Sequence, residues 1–190
     1  MSLTQYYTAT TLDGFIADAD HSLEWLFTRD QDRQGPLNYA EFIAGVGALA
    51  MGSSTYGWIL DHELADNDPA DWKWPYDVPC WVFTSRELQV VPRARVEFVR
   101  GDVAPVHAEM VAAAGGQNVW IVGGGDLAGQ FAGAGLLDEV IVYIAPVTLG
   151  AGAPLLSRRV ELRLEELARN GDFAAARYAV VRDPRGTRSQ

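Results

Sequence analysis

Short apolar runs bounded by glycine or polar residues recur along this chain, and they alternate with segments of helical hydrophobic period. β-Branched and aromatic residues dominate the short runs, which is typical of strands. The predicted strands cover residues 6–11, 15–17, 48–51, 80–84, 96–99, 119–122, 139–146 and 172–182. The predicted helices cover residues 38–46, a segment that begins near Ser54, residues 103–114 and residues 126–137.

Strands that alternate with helices predict an α/β domain of three layers around a mixed, mostly parallel central sheet. Residues 172–182 alternate apolar and polar positions, which predicts an antiparallel strand at the C-terminal end. No repeat or change of composition divides the 190 residues, so we expect one domain over residues 1–190. Residues 61–77 are acidic and irregular, and their Trp72 and Trp74 either cover a substrate or pack on a partner subunit.

The most informative segment joins a predicted strand to a predicted helix through Gly123, Gly124 and Gly125. Residues without a Cβ let the backbone turn sharply and approach a bulky group. Asp126 follows as a predicted N-cap, so the helix amides and the positive end of its dipole would face the turn. A phosphate suits such a helix end, although a tight turn without a ligand explains this segment equally well.

Ligands of open α/β sheets collect at the carboxyl ends of the parallel strands. Three loops of small or polar residues follow predicted strands and would meet at that edge of the sheet. These loops are residues 52–55, 84–86 and 123–125. Their convergence favours a nucleotide site over an empty turn.

The net charge of −10 argues against nucleic acid or an anionic membrane as a partner. Lys73 is the only lysine among 15 basic residues, so a phosphate would be bound by arginine, hydroxyl groups or backbone amides. The single Cys80, the lack of a membrane-length apolar run and the lack of a signal-peptide pattern predict a cytoplasmic protein. The three histidines are scattered, so we expect no metal site.

Several segments, in order and over essentially the whole chain, resemble the dihydrofolate-reductase-like proteins related to the reductase domain of bifunctional riboflavin biosynthesis enzymes. The matching segments are residues 11–17, 24–26, 51–56 and 84–86, then residues 123–125 with Leu155 downstream. The resemblance implies a dihydrofolate-reductase-like fold, NADPH as cofactor, and hydride transfer to a heterocyclic or otherwise unsaturated small molecule.

The resemblance also implies a set of cofactor contacts. Residues 52–55 would receive the phosphates at a helix start, residues 85 and 86 the adenosine ribose or its 2′-phosphate, and residues 123–127 the pyrophosphate. Residues 13–16 would border the nicotinamide. The implied cofactor residues are Ala9, Gly14, Phe15, Ile16, Gly52, Ser53, Ser54, Thr55, Thr84, Ser85, Arg86, Val122, Gly123, Gly124, Gly125, Asp126 and Leu127.

Two departures from the family pattern bear on function. Ser53 stands where many relatives carry an arginine that grips the 2′-phosphate, so NADH is an alternative cofactor. Glu41 is the only carboxylate in the predicted helix over residues 38–46, where dihydrofolate reductases carry one facing the pterin. Reduction of folate is therefore less expected than reduction of another substrate, and no separate deaminase domain or ribose-phosphate site supports the riboflavin-type substrate.

Hydride transfer needs little acid–base machinery from the protein, because the cofactor carries the reactive bond. A proton donor is needed if the acceptor is a C=N bond, and the candidates are Asp13, Glu24, Tyr56 and water. The resemblance places Trp25 near the substrate mouth, and turn formation is the simpler role for Asp13. A nucleotide-binding or regulatory module of the same fold without catalysis is the alternative function.

A homodimer is the expected assembly. Residues 173–181 combine small residues with Tyr178, and residues 139–146 form an apolar strand that one core would have difficulty covering. Related proteins commonly pair through that end of the sheet. The competing account is that both strands are central and are covered by the chain's own helices.

Overall fold

An eight-stranded sheet forms the middle layer of the protein. The structure is a computed structural model, and it describes residues 2–64, 68 and 71–182. Its strands in chain order are β1 (Thr4–Thr11), β3 (Val46–Gly52), β4 (Cys80–Phe83), β5 (Val96–Val99), β6 (Asn118–Gly123), β7 (Glu139–Ala145), β9 (Leu162–Asn170) and β10 (Phe173–Val180). A separate two-stranded sheet contains β2 (Phe15–Ala17) and β8 (Ala153–Pro154). The order across the large sheet is β5-β4-β3-β6-β1-β7-β10-β9.

Helices cover both faces of this sheet. They are α1 (Glu24–Phe27), α2 (Tyr39–Ala44), α3 (Ser53–Ile59), α4 (Val103–Ala113) and α5 (Gly125–Gly133). One hydrophobic core lies between the sheet and α4 with α5, around Met110 and Phe131. The other contains Trp25, Tyr56 and Ile59 from α1 and α3, and Phe42 of α2 packs against it. The expected three layers are therefore present.

The sheet is mixed in the expected way. From β5 to β7 neighbouring strands pair in parallel, whereas β10 pairs antiparallel with both β7 and β9. The two-stranded sheet is also antiparallel. Crossover connections, all of them helical except the one from β4 to β5, produce the parallel part, and the short turn between β9 and β10 allows an antiparallel hairpin. This is the α/β, dihydrofolate-reductase-like architecture that the sequence predicts.

Several predicted boundaries are wrong. The helix expected over residues 38–46 ends at Ala44, because Gly45 is its C-cap and Val46 already begins β3. The last predicted helix ends at Gly133, four residues before Leu137. Residues 15–17 do not continue the first strand, because Gly14 at φ +84° turns the chain so that β2 pairs with β8.

Strand β9 is absent from the sequence prediction. Its nine residues include two glutamates and two arginines, and its leucines do not alternate strictly with polar residues. It lies at the edge of the sheet and makes a β-bulge against β10 between Arg177 and Tyr178. An edge strand has one open side, and a bulge breaks the two-residue period, so the alternation used to recognise strands is lost.

The tryptophans of the acidic segment pack inward. Trp72 and Trp74 lie against the second hydrophobic core, and the Trp74 ring is 5.5 Å from that of Tyr56. Residues 65–67, 69 and 70 of this predicted excursion lie outside the described residues, and Leu60–Leu64 form a π-helical turn after α3. Among the helices of the described ranges, none is long and apolar enough to cross a membrane.

Candidate cofactor and substrate site

The three loops singled out in the sequence follow β3, β4 and β6, which are neighbours in the parallel part of the sheet. A cleft with a volume of about 390 Å³ opens at this edge. Eight of the implied cofactor residues line the cleft: Ile16, Ser54, Thr55, Val122, Gly123, Gly124, Gly125 and Asp126. The predicted convergence of the first and third loops is therefore present in the fold.

Glycine is required in the third loop because other groups occupy the space of its side chains. A Cβ on Gly123 would lie 2.6 Å from the Thr55 hydroxyl oxygen, so the first and third loops touch. A Cβ on Gly125 would overlap the carbonyl oxygen of Pro154 and lie 2.6 Å from that of Leu155. Contact distances below about 3 Å are repulsive for carbon. A side chain at either position would therefore push the adjoining segments of the cleft apart.

Both helices that begin at the cleft have glycine as N-cap. Gly52 precedes α3 and Gly124, at φ +97°, precedes α5, and neither helix has a side-chain cap. The first-turn amides are thus left for a ligand or water, and the helix dipole favours an anion there. Asp126, the predicted N-cap, instead lies inside the first turn, where its carboxylate accepts from Gln130 at 2.8 Å and from Ser157 at 3.1 Å.

A second cavity of about 430 Å³ contains the arginine of the middle loop. Arg86 donates from Nη2 to the Ser53 hydroxyl oxygen at 2.6 Å, so the two positions that the resemblance assigns to the 2′-phosphate are directly linked. Arg100 lines the same cavity and was not predicted. It follows β5, the parallel neighbour of β4, so the rule that ligands collect at strand carboxyl ends would have found it.

Asp13 has a structural role in the turn between β1 and β2. Its carboxylate accepts from the Thr11 hydroxyl at 2.5 Å and from the amides of Leu149 and Gly150 at 3.0 and 2.7 Å. These hydrogen bonds, that of Thr11 above all, lower the pKa of Asp13. The carboxylate is therefore ionised, and its oxygens already accept the hydrogen bonds of this turn. It is thus a poor proton donor, which favours the turn-forming interpretation.

Asp13→Asn is expected to lower the free energy of unfolding at pH 7. A carboxyl group whose pKa is lower in the folded state stabilises it above the unfolded pKa of about 3.9, and that contribution is lost as the pH falls through the folded pKa. Urea unfolding should thus give a lower free energy of unfolding for the variant than for wild type at pH 7, and this difference should be smaller at about pH 3. The exposed Asp20→Asn is the control, and an equal loss in both variants would contradict the role of Asp13.

The other three predicted catalytic residues do not line either cavity. Tyr56 is fully buried and donates its hydroxyl to the Gln89 carbonyl oxygen at 2.6 Å, and burial raises its pKa. Trp25 is buried in the second core, and Glu24 is exposed at the start of α1. Helical spacing does not show which side of a helix faces the ligand, so the sequence could not separate these residues from cleft residues.

Some of the implied cofactor residues also lie elsewhere. Ala9 packs against the second core, and its neighbour Thr8 lines the cleft instead, because successive strand residues point to opposite faces. Leu127 is buried in the first core. Gly14, Phe15, Gly52 and Ser85 line neither cavity, although Thr84 and Arg86 line the second.

Further residues of the cleft were missed. Trp58 follows Ser54 by four residues on α3, so helical spacing could have indicated it. His21 and Leu23 come from the polar loop before α1, for which no sequence rule predicts a direction. The far wall comes from the two residues of β8 and from Ser157, and so short a strand leaves no pattern.

Comparison with known proteins agrees with this fold. The profile of the RibD C-terminal domain family matches residues 54–171. The chain is 31% identical to the uncharacterized protein YwjB of Bacillus subtilis, over 92% of this chain and 96% of that protein. The chain therefore belongs to the RibD C-terminal domain family.

Solved structures give the same result. A putative riboflavin biosynthesis protein from Shewanella sp. PV-4 superposes with a TM-score of 0.76 at 25% identity, covering 95% of this chain and 99% of that one. A diaminohydroxyphosphoribosylaminopyrimidine deaminase/5-amino-6-(5-phosphoribosylamino)uracil reductase from Thermotoga maritima gives a TM-score of 0.60 at 16% identity, over 95% of this chain and 57% of that one. The second likeness concerns the fold alone.

Proposed function

We propose that this protein is an NADPH-dependent reductase that transfers hydride to a small heterocyclic or otherwise unsaturated molecule. The observation that carries the proposal is the meeting of two uncapped helix starts, at Gly52 and Gly124, with the linked pair Arg86 and Ser53 beside them. The helix starts suit a pyrophosphate, and the arginine suits a further phosphate. When bound, the dinucleotide would supply the hydride.

The residues of the cleft and of the second cavity fit the cofactor in three places. Gly124 and Gly125 at the start of α5 would hold the pyrophosphate through their backbone, and Thr55 faces the same space from α3. Arg86 would hold the adenosine 2′-phosphate, with Arg100 as a second cation in the same cavity. Ile16 and Thr8 line the part of the cleft nearest β1, where an apolar ring would be shielded from water.

Nucleotide binding is the first test. Ligands that bind the native state raise its stability by about 2.7 kcal/mol at 100 times Kd, which corresponds to about 5–10 °C in Tm for a chain of this size. NADPH is expected to raise Tm, and to raise it more than NADH. No shift with either nucleotide at millimolar concentration would refute the proposal, and equal shifts would refute the preference for the 2′-phosphate.

One observation favours the non-catalytic alternative. None of the side chains considered above as catalytic groups lines the cleft. These are the side chains of Asp13, Glu24, Tyr56 and Trp25. A screen of unsaturated heterocycles for loss of absorbance at the NADPH band separates the two functions. Binding of NADPH without acceptor-dependent oxidation across the screen would favour a nucleotide-binding module.

We also propose a homodimer, with the partner at β9 rather than at β7. Residues of β7 are covered on both faces, which corrects the expectation that this strand has a free face. The bulge in β9 lets Leu164 pair with Tyr178 and Leu167 with Ala176, so both leucines lie on one face. They are 51% and 62% exposed at the edge of the sheet, where a second copy would cover them.

Light scattering at micromolar concentration is expected to give about twice the chain mass of 20.7 kDa. Leu167→Lys should reduce that mass to one chain, because a charge in the centre of an apolar interface costs several kcal/mol. Val90→Lys changes an equally exposed residue outside β9 and should leave the dimer intact. A wild-type mass near that of one chain, independent of concentration, would exclude the dimer.

A further inference from the structure

His21 and Asp126 are the only ionisable side chains among the described residues that line the cleft. The Asp126 carboxylate is occupied, because it accepts from Gln130 and Ser157. The imidazole of His21 is exposed on the solvent side of the cleft, so it can exchange protons with water. It is thus the one acid–base group of the described cleft that is left for a substrate.

The loop that carries His21 is a turn held by hydrogen bonds to the backbone and side chain of Asp18. Asp18 donates its amide to the Ser22 carbonyl oxygen at 3.2 Å, and the His21 amide donates to the Asp18 carbonyl oxygen at 3.1 Å. The Asp18 carboxylate also accepts from the amides of Asp20 and Ser22 at 2.9 and 2.8 Å. His21 itself lies in the left-handed region at φ +62°.

A left-handed conformation is uncommon outside glycine and costs free energy that the surrounding structure must offset. Glycine, asparagine and aspartate adopt this conformation as histidine does, so the turn alone does not require an imidazole at this position. Trp58, on the neighbouring part of the cleft, is held by a ring stack on His62 at 4.4 Å and 8°. The turn and the stack thus each restrain one residue that lines the cleft.

We propose that His21 is a catalytic residue that contacts the substrate and delivers the proton that accompanies hydride transfer. This inference rests on the proposed reductase function and adds the residue that supplies the proton when a C=N or C=O bond is reduced. Hydride adds to the carbon of that bond, its π electron pair moves to the nitrogen or oxygen, and that atom takes the proton of the imidazolium. NADPH is oxidised to NADP⁺, and the neutral imidazole regains a proton from water.

Several charged and titratable groups of the described residues belong to this turn, to helices beside the cleft or to the ring stack beside it. Asp18 and Asp20 lie in the same turn, Glu24 begins α1, Asp126 lies across the cleft on α5, and His62 packs behind Trp58. Imidazole ordinarily changes charge between about pH 5 and 8. The pH profile of turnover therefore reports the proposed role of His21 directly.

The first experiment uses NADP⁺ as the probe and needs no substrate. Ring proton signals of the three histidines, assigned with His21→Asn, are followed by NMR during titration. The His21 signals are expected to shift and those of His107, on α4, to stay. If NADP⁺ raises Tm while the His21 signals do not move, the inference is overturned. If NADP⁺ neither raises Tm nor shifts any histidine, the proposed function itself fails.

The second experiment measures turnover against pH with the acceptor found in the absorbance screen. His21→Asn, whose side chain tolerates the left-handed backbone, is expected to lower kcat by about 10²–10⁴-fold at pH 6. The variant lacks the ionisable ring, so its pH profile should lose a step that the wild-type profile shows between about pH 5 and 8, where imidazole ordinarily changes charge. Arg93→Asn is the matched control, because Arg93 also has φ +63° but lines neither cavity. Parallel pH profiles for wild type and His21→Asn would overturn the inference.

Discussion

Gly125→Ala is expected to destabilise the protein by about 3 kcal/mol and to abolish NADPH binding. The new methyl group would overlap the carbonyl oxygen of Pro154 and approach that of Leu155, both of them backbone atoms that cannot rotate away. The start of α5 would therefore have to separate from β8, and residues of both elements line the cleft. Thermal unfolding should show a loss of about 6–12 °C in Tm for a chain of this size.

Gly57→Ala is the matched control for this prediction. Gly57 lies within α3, and no atom lies within 4 Å of the position of its Cβ. Alanine is favoured over glycine in a helix interior, so this variant should gain about 0.5–1 kcal/mol and bind NADPH as wild type does. A stable Gly125→Ala variant with unchanged binding would show that the contact with β8 is not required by the cleft.

The stability of the Gly124→Ala variant should lie between those of the Gly125→Ala and Gly57→Ala variants. Its Cβ would meet only ordinary contacts, the nearest at 3.6 Å, but φ +97° is strained for any residue with a side chain. The cost of such a backbone conformation is about 1–3 kcal/mol. Adjacent glycines are thus required for different reasons, one for its conformation and the other for the space it leaves.

The parallel part of the sheet could be predicted from the sequence because buried strands there are continuous apolar runs between glycine and polar residues. Such a run occurs in residues 48–51, 80–84 and 119–122. The structure has a strand over each of these ranges, and only residue 84 lies outside its strand. The edge strand β9 could not be found this way, since its charged residues and its bulge remove the pattern. Hydrophobic patterning therefore describes the centre of this fold better than its edges.

Loop positions in the site were predicted better than side-chain directions. The rule that ligands collect at strand carboxyl ends selected Thr55, Gly124 and Arg86, and each of them lines a cavity, because the rule depends on topology alone. Which side chain of a helix or strand faces the cleft depends on how the layers pack. For that reason Tyr56 points into the core and Thr8, not Ala9, faces the cleft.

The hydrogen bond between Arg86 and Ser53 bears on the cofactor preference of the site. The resemblance described above implies an arginine at the position of Ser53, whereas here the cation comes from the loop after β4 and donates to the serine hydroxyl. A serine at that position leaves space that a second arginine would fill. The site retains two cations near this point, because Arg86 and Arg100 line one cavity, although Glu87 lines it as well.

Arg86→Ala is accordingly expected to weaken NADPH binding by about 1.5–3 kcal/mol, the scale of a charged hydrogen bond, which is about 10–150-fold in Kd. NADH binding should change little, because NADH lacks the 2′-phosphate that Arg86 is proposed to hold. Fluorescence or calorimetric titration of both nucleotides measures the difference, with the exposed Arg95→Ala, outside both cavities, as the control for loss of one positive charge. Ser53→Ala removes only the acceptor that orients Arg86, so it should weaken NADPH binding by less than Arg86→Ala. An equal loss for NADPH and NADH in Arg86→Ala would assign the arginine to the fold or to the adenine ring instead of the 2′-phosphate.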